Sequence, residues 1–205
     1  MNGPYLIIRC DRPMYGLYLC FHSMPDSYVL QHRENGEWVT LTEGDTRFHH
    51  MYYELQGETE LRILSTQEKK HRLSFNELFV FSAGQVPDWV QRWEETEEKA
   101  DLLLFVAHPD DELLFFAGAI PTYGAELNKR LVVVYLTICD ECRRSEALNG
   151  LWAMGIKKYP VFGPFVDKYA RSLKEAYQEV AGNRYAAGKK QVLTWVTQLF
   201  RQYQP

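Results

Sequence analysis

Leu102-Leu103-Leu104-Phe105-Val106-Ala107-His108-Pro109-Asp110-Asp111-Glu112 is the stretch that decides the fold of this chain. Residues 102–107 are apolar and uncharged and end at a histidine, a proline and three acids, which is how a strand buried on both faces reads. A strand of that kind belongs in a parallel sheet covered by helices. Asp110 or Asp111 can cap the helix that starts beside them, because a carboxylate there accepts from backbone N–H groups with no partner inside the helix. His108, Asp110 and Asp111 are thus predicted at the carboxyl end of a strand, where open α/β sheets hold their ligands. Two readings follow from the spacing. In one, the acids cap a helix and His108 donates to one of them. In the other, an imidazole and a carboxylate three positions apart reach one zinc ion, and the carboxylate between them points at a water on the metal.

Further along, residues 113–128 read as a helix broken near 120–122, since Pro121 removes an N–H and disturbs the preceding turn. Residues 131–136, Leu-Val-Val-Val-Tyr-Leu, form a second buried strand, so the strand–helix–strand order predicts a parallel pair with a right-handed crossover. Its carboxyl end brings residues 137–144 beside His108, which places Arg143 or Arg144 near the same site. A surface salt bridge with Glu141 or Glu146 is the alternative for these arginines. A helix over 144–154 closes at Gly155, a third short strand spans 159–162, and a last helix over 189–203 carries Val192, Val196, Leu199, Phe200 and Tyr203 on one face.

Ala107-His108-Pro109-Asp110-Asp111-Glu112 resembles the AHPDDE signature of the PIG-L/LmbE family, the zinc-dependent N-acetylglucosaminyl de-N-acetylases. The resemblance extends through Gly118, the strand at 131–137 and Arg143-Arg144-Ser145-Glu146-Ala147, and covers about residues 100–205. It implies a Rossmann-like α/β domain, with His108 and Asp111 as zinc ligands, Asp110 as general base and Arg143 as a contact to an amino sugar or glycoconjugate substrate. The loop at 163–172 lies at the same edge and offers Asp167, Lys168, Tyr169 and Arg171 to a sugar-binding lid. In the family a further strand follows and brings the third zinc ligand. No histidine follows His108 here, so the expectation is a truncated domain whose zinc site is incomplete within this chain, filled from Cys139, Cys142, Asp140, Glu141 or another chain, or not filled. An incomplete sheet with an open edge also points to a homodimer or to order supplied by the β-domain.

Toward the N-terminus the pattern changes to short alternating strands, at 6–10, 16–21, 28–31, 38–41, 48–55, 61–64 and 73–81. Asn35-Gly36 between two of them is a hairpin turn. The simplest architecture is an antiparallel β-sandwich over residues 1–82. Its last segment, 73–81, resembles the closing strand of discoidin-like, galactose-binding-like jelly rolls. Tyr18, Tyr28, Trp38, Tyr52 and Tyr53 can stack on sugar rings or fill the core, and the core is the commoner fate. Residues 83–99 read as a linker with a short helix started by Pro87, followed by the acidic run Glu94-Glu95-Thr96-Glu97-Glu98 as a solvated spacer.

The fold class is therefore all-β followed by α/β, within 205 residues of net charge −4. That charge and an ordinary apolar content point to neither nucleic acid nor a membrane surface, and no run approaches the length of a membrane span. Met1-Asn2-Gly3-Pro4 shows no basic and apolar signal segment. Four cysteines are too few for a disulfide scaffold. Three functions are compatible with these features. They are a zinc-dependent de-N-acetylase, a carbohydrate-binding protein acting through the β-domain, and a redox protein using Cys139 and Cys142.

Overall fold

The computed structural model describes residues 4–66, 73–137, 140–167, 172 and 188–205. The chain divides into two compact units, Met1–Arg92 and Trp93–Pro205.

Unit 1 holds β1 (Tyr5–Phe21), β2 (Tyr28–Glu34), β3 (Glu37–Glu43), β4 (His50–Ser65) and β5 (Phe75–Phe81) in one antiparallel sheet of order β3-β2-β4-β1-β5. The predicted segments 6–10 and 16–21 are two ends of β1, and the predicted segments 48–55 and 61–64 fall largely on β4. The ladder between β1 and β4 shifts register between Arg9 and Met14 and again between Met14 and Gly16. Such bulges bend a strand and strengthen its twist without ending it. One end of the β1–β4 pair carries β2, the other carries β5. Leu17, Leu19 and Phe21 from the second end then meet Leu30, Leu61 and Ile63 from the first in a single core. The predicted two-sheet sandwich is, among the described residues, one sheet bent over its own core. Asn35 (φ 51°) and Gly36 (φ 86°) form the hairpin turn with positive φ at both positions.

The opposite face of β1 is covered by the chain itself. Tyr18 and Cys20 are buried there with Val90, and Tyr52, Phe79, Phe81 and Val86 pack around them. Trp89 meets the rings of Tyr18, Phe79 and Phe81 edge-on or tilted. Residues 88–90 form a turn, closed by the Val90 N–H on Pro87 O at 3.0 Å, in place of the predicted helix. Docking of Val86, Trp89 and Val90 on the sheet favours that turn over helical spacing. Tyr18, Tyr28 and Tyr53 are buried and so belong to the core. Trp38 lies between the guanidinium groups of Arg33 at 4.2 Å and Arg62 at 4.5 Å.

Unit 2 holds β6 (Leu102–Val106), β7 (Leu131–Thr137) and β8 (Val161–Phe165) in a parallel sheet of order β6-β7-β8. Its helices are α1 (Asp111–Phe116), a π-helical segment (Pro121–Glu126), α2 (Glu141–Ala153) and α3 (Lys189–Tyr203). The central strand explains its own composition. Leu131, Val133 and Tyr135 pack with Ala147 and Leu151 of α2, while Val132 and Val134 pack with Leu199 and Tyr203 of α3. Helices on both faces leave no polar side of β7. β6, predicted to be equally buried, is an edge strand of this sheet, and of its residues Val106 alone is buried.

Two helices depart from expectation. α1 stops at Phe116, and Pro121 opens the π-helical segment, where a missing N–H is harmless. α2 starts at Glu141 rather than Arg144, because the Asp140 carboxylate accepts from the Arg143 N–H at 2.9 Å and caps it. Gly155 (φ 87°) follows α2 as predicted. Gly163 in β8 is required by close approach, since a Cβ there would lie 2.3 Å from Leu136 O. The acidic run is no free spacer at its start. Glu94 forms a parallel bridge with Lys158 and pairs with its ammonium at 2.9 Å.

Candidate active site

The site forms where the carboxyl ends of β6 and β7 meet the first turns of α1 and α2. Thr137 ties the strand ends together, its N–H and its hydroxyl both donating to Ala107 O at 3.1 and 2.7 Å. His108 follows directly. Asp111 turns Oδ2 back to accept from the backbone N–H groups of Ala107 at 3.1 Å and His108 at 2.9 Å. That same oxygen lies 3.5 Å from His108 Nδ1, and the other ring nitrogen, Nε2, lies 3.1 Å from Asp167 Oδ1.

Asp110 holds the N-cap position of α1 but makes no side-chain cap. Its backbone is in an unusual conformation, φ 127° and ψ −28°. The Oδ2 atom instead meets Arg143 Nη2 at 3.2 Å, and the Asp110 N–H donates to Glu112 Oε2 at 2.9 Å. Of the two arginines left open by the sequence, Arg143 is the one that faces this site. Arg144 lies with its guanidinium 4.9 Å over the Phe162 ring.

All four site residues named from the sequence therefore gather at one edge. His108 and Asp111 form one pair, Asp110 and Arg143 another. Two contributors, Thr137 and Glu112, were not assigned from the sequence. Asp167 was named for a lid and is a partner of His108; Lys168, Tyr169 and Arg171, named with it, lie outside the described residues. Thr137 gave no signal beyond its place at a strand end. Glu112 was in plain view within the hexapeptide, but an acid in a helix's first turn ordinarily reads as a solvated charge.

Zinc lies about 2.0–2.2 Å from nitrogen and oxygen ligands, so two ligand atoms of a tetrahedral site are about 3.3–3.6 Å apart. The 3.5 Å between His108 Nδ1 and Asp111 Oδ2 meets that spacing. This pair fits one half of a zinc site, and a catalytic zinc takes a third protein ligand. Among the described residues no group of three His, Cys, Asp or Glu side chains is placed to hold a metal. Asp167 approaches the other ring nitrogen of His108. The Asp140 carboxylate is engaged by the cap, Cys142 is exposed on α2, and Cys139 lies outside the described residues.

The chain matches no family model and no curated protein. The likeness to the PIG-L/LmbE family rests on the residues quoted above. Among the described residues no helix is long and apolar enough to cross a membrane.

Proposed function

We propose that unit 2 carries a zinc-dependent hydrolase site that removes the acetyl group from an N-acetylglucosamine-type amino sugar conjugate. The observation that supports this most is the placement of Asp110, its carboxylate turned away from the helix it precedes and toward Arg143, beside the His108–Asp111 pair. A carboxylate that only capped a helix would bond to the amides of α1.

His108 and Asp111 are the residues that would hold the zinc. A bound zinc polarises the acetamide carbonyl and acidifies a water molecule. Asp110 takes the proton from the attacking water and returns it to the leaving nitrogen, so that amide and water become acetate and amine. Arg143 faces the Asp110 carboxylate with one donor and has others left for sugar hydroxyls.

Metal analysis of the purified chain, followed by zinc titration after chelation, tests the reading directly. One tightly bound zinc per chain, or per chain within a dimer, is expected. Asp110→Asn should keep the zinc and lose at least about 10³-fold in turnover, near the upper range for general acid–base catalysis. His108→Ala should release the metal. Weak zinc in the unaltered chain, or loss of metal and turnover together in Asp110→Asn, would remove the assignment.

A further inference from the structure

In α1 the ordinary burial pattern is reversed. Leu114 and Phe115 are 70% and 71% exposed, while Glu112 is 0% exposed. A fully buried carboxylate is costly unless hydrogen bonds satisfy it, so the bonds it does make are informative. One oxygen of Glu112 accepts the Asp110 N–H, and the other, Oε1, has no protein partner among the described residues. Among the described residues its side-chain bond is therefore to the backbone of the residue that serves as base in the reading above.

Asp110 needs that restraint. A non-glycine residue at φ 127° carries backbone strain of about 1–3 kcal/mol, which persists only where the surroundings over-determine it. In a common helix start the N-cap acid bonds to the amides of the first turn, and a glutamate at the third position reaches back to the N-cap N–H. Only the second half of that arrangement is present here, made one residue early by Glu112. Asp111 has turned to the N–H groups of Ala107 and His108, so neither acid caps α1 from its own side chain in the usual way.

We infer that Glu112 is a positioning residue that pins the Asp110 backbone through its N–H and thereby keeps the Asp110 carboxylate out of the helix cap and directed at Arg143. The inference rests on the hydrolase reading only for its consequence in turnover; the backbone restraint stands on geometry. Glu112→Gln retains an oxygen acceptor in the same volume, whereas Glu112→Leu and Glu112→Met fill the space without one.

The test is amide hydrogen exchange at Asp110 in the metal-free full chain, read by NMR, beside kcat and KM for an N-acetylglucosamine conjugate with zinc added. Exchange at Asp110 should be slow in the unaltered chain and in Glu112→Gln, and about tenfold faster in Glu112→Leu, as for loss of one bond to a charged acceptor. Turnover in Glu112→Leu should fall about 10²-fold in kcat with KM nearly unchanged, since a displacement near 1 Å is enough for that loss, and Glu112→Gln should recover most of it. Should the leucine variant not fold, Glu112→Met and the unaltered chain carry the same comparison. Free exchange at Asp110 in the unaltered chain, or equal exchange in all variants, overturns the inference. Exchange that follows the expected order with no turnover in any form, the unaltered chain included, would instead sink the hydrolase reading and leave the restraint intact.

Discussion

The second half of β1 in unit 1 and the whole of β7, the middle strand of unit 2, are each packed on both faces, but they are covered in different ways. Over β7 the cover is two helices, so its residues are aliphatic apart from Tyr135 and the terminal Thr137. Over the second half of β1 one face meets the other end of its own bent sheet and the opposite face meets the segment at 86–90. That segment adds Val86, Trp89 and Val90, and the sheet itself adds Tyr18, Tyr28 and Tyr53. Tyr28 and Tyr53 share a buried hydrogen bond of 2.6 Å between hydroxyls, and Tyr18 accepts from the Gln91 N–H. Covering a strand with helices makes a mainly aliphatic core, in which Tyr135 and Tyr203 carry the polar tips of the buried clusters around β7, and leaves the strand ends free for chemistry. Bending a sheet over itself gives a core with polar atoms inside it, and these must all be satisfied.

The sharpest way to break this comparison is at Gly163. A methyl group there would lie 2.3 Å from Leu136 O and 2.6 Å from Tyr135 O, and both are backbone atoms of the buried strand. Gly163→Ala should therefore push β8 off β7 and cost about 4 kcal/mol or more, the range reserved for gross steric or burial faults. Denaturant unfolding followed by zinc titration checks it. A loss under 1 kcal/mol would mean that β8 does not hold unit 2 together.

Next in size are paired truncations of fully buried leucines, Leu61 in unit 1 and Leu151 in unit 2, each 0% exposed. Each change to alanine should cost about 2–5 kcal/mol. The two should act on different transitions, with Leu61→Ala leaving zinc binding as it was and Leu151→Ala weakening it by loosening α2 beneath Arg143. Equal effects of both on zinc binding would show that the units do not unfold separately.

The same contrast explains what could be read in the sequence. The β7 run, the last helix and the Asn35-Gly36 turn follow from local rules alone, since continuous aliphatics, a one-sided apolar face and a positive-φ pair each have one common solution. Residues 6–21 and 50–65 look like four strands because irregular residues at 10–15 in β1 and 55–57 in β4 break the alternation, while the hydrogen-bonded ladder resumes across them. At the site, His108, Asp110, Asp111 and Arg143 were legible because a strand end and a helix start fix them within a few residues. Glu112 was not, because its role depends on burial; Asp167 was placed at the right edge, but its pairing with His108 spans more than fifty residues and no local rule gives it. The Cys139–Cys142 spacing drew attention from Asp140, whose cap begins α2 a turn earlier than the apolar pattern suggests.

Alkaline pH should separate the units by a smaller amount. Burial pushes the Tyr18 and Tyr53 hydroxyls up to about 12 and Tyr28 further still. A raised folded value means that their stabilisation is complete below the unfolded value near 10 and is lost as pH rises through the folded one. At pH 11 each of Tyr18 and Tyr53 should cost unit 1 about 1 kcal/mol relative to pH 9. Tyr53→Phe should lose part of this dependence while also leaving Tyr28 without its hydroxyl partner. The part of the tyrosinate absorbance that Tyr53→Phe removes should rise together with unit 1 unfolding; if that part rises well before unfolding, the ring is more open than its burial implies.

The smallest expected effect lies at the start of the parallel sheet, and it has the opposite pH sense. Asp101 accepts from the Arg130 backbone N–H and from its guanidinium at 3.0 and 2.6 Å, which joins the beginnings of β6 and β7. The guanidinium and the backbone donor together hold the Asp101 carboxyl down to about 2. Because its folded value is depressed, the pair's contribution is present above the unfolded value near 4 and disappears as pH falls through 2. Both groups are solvent-accessible, so water and salt screen most of it. Asp101→Asn should flatten the acid limb of unit 2 unfolding between pH 4 and 2 and leave unit 1 unchanged, and raising the salt concentration should shrink even that difference. If the asparagine variant kept the full acid limb, protonation at another carboxylate of unit 2 would have to be its cause, and the sheet's closed end would owe its order to the apolar packing of β7 alone.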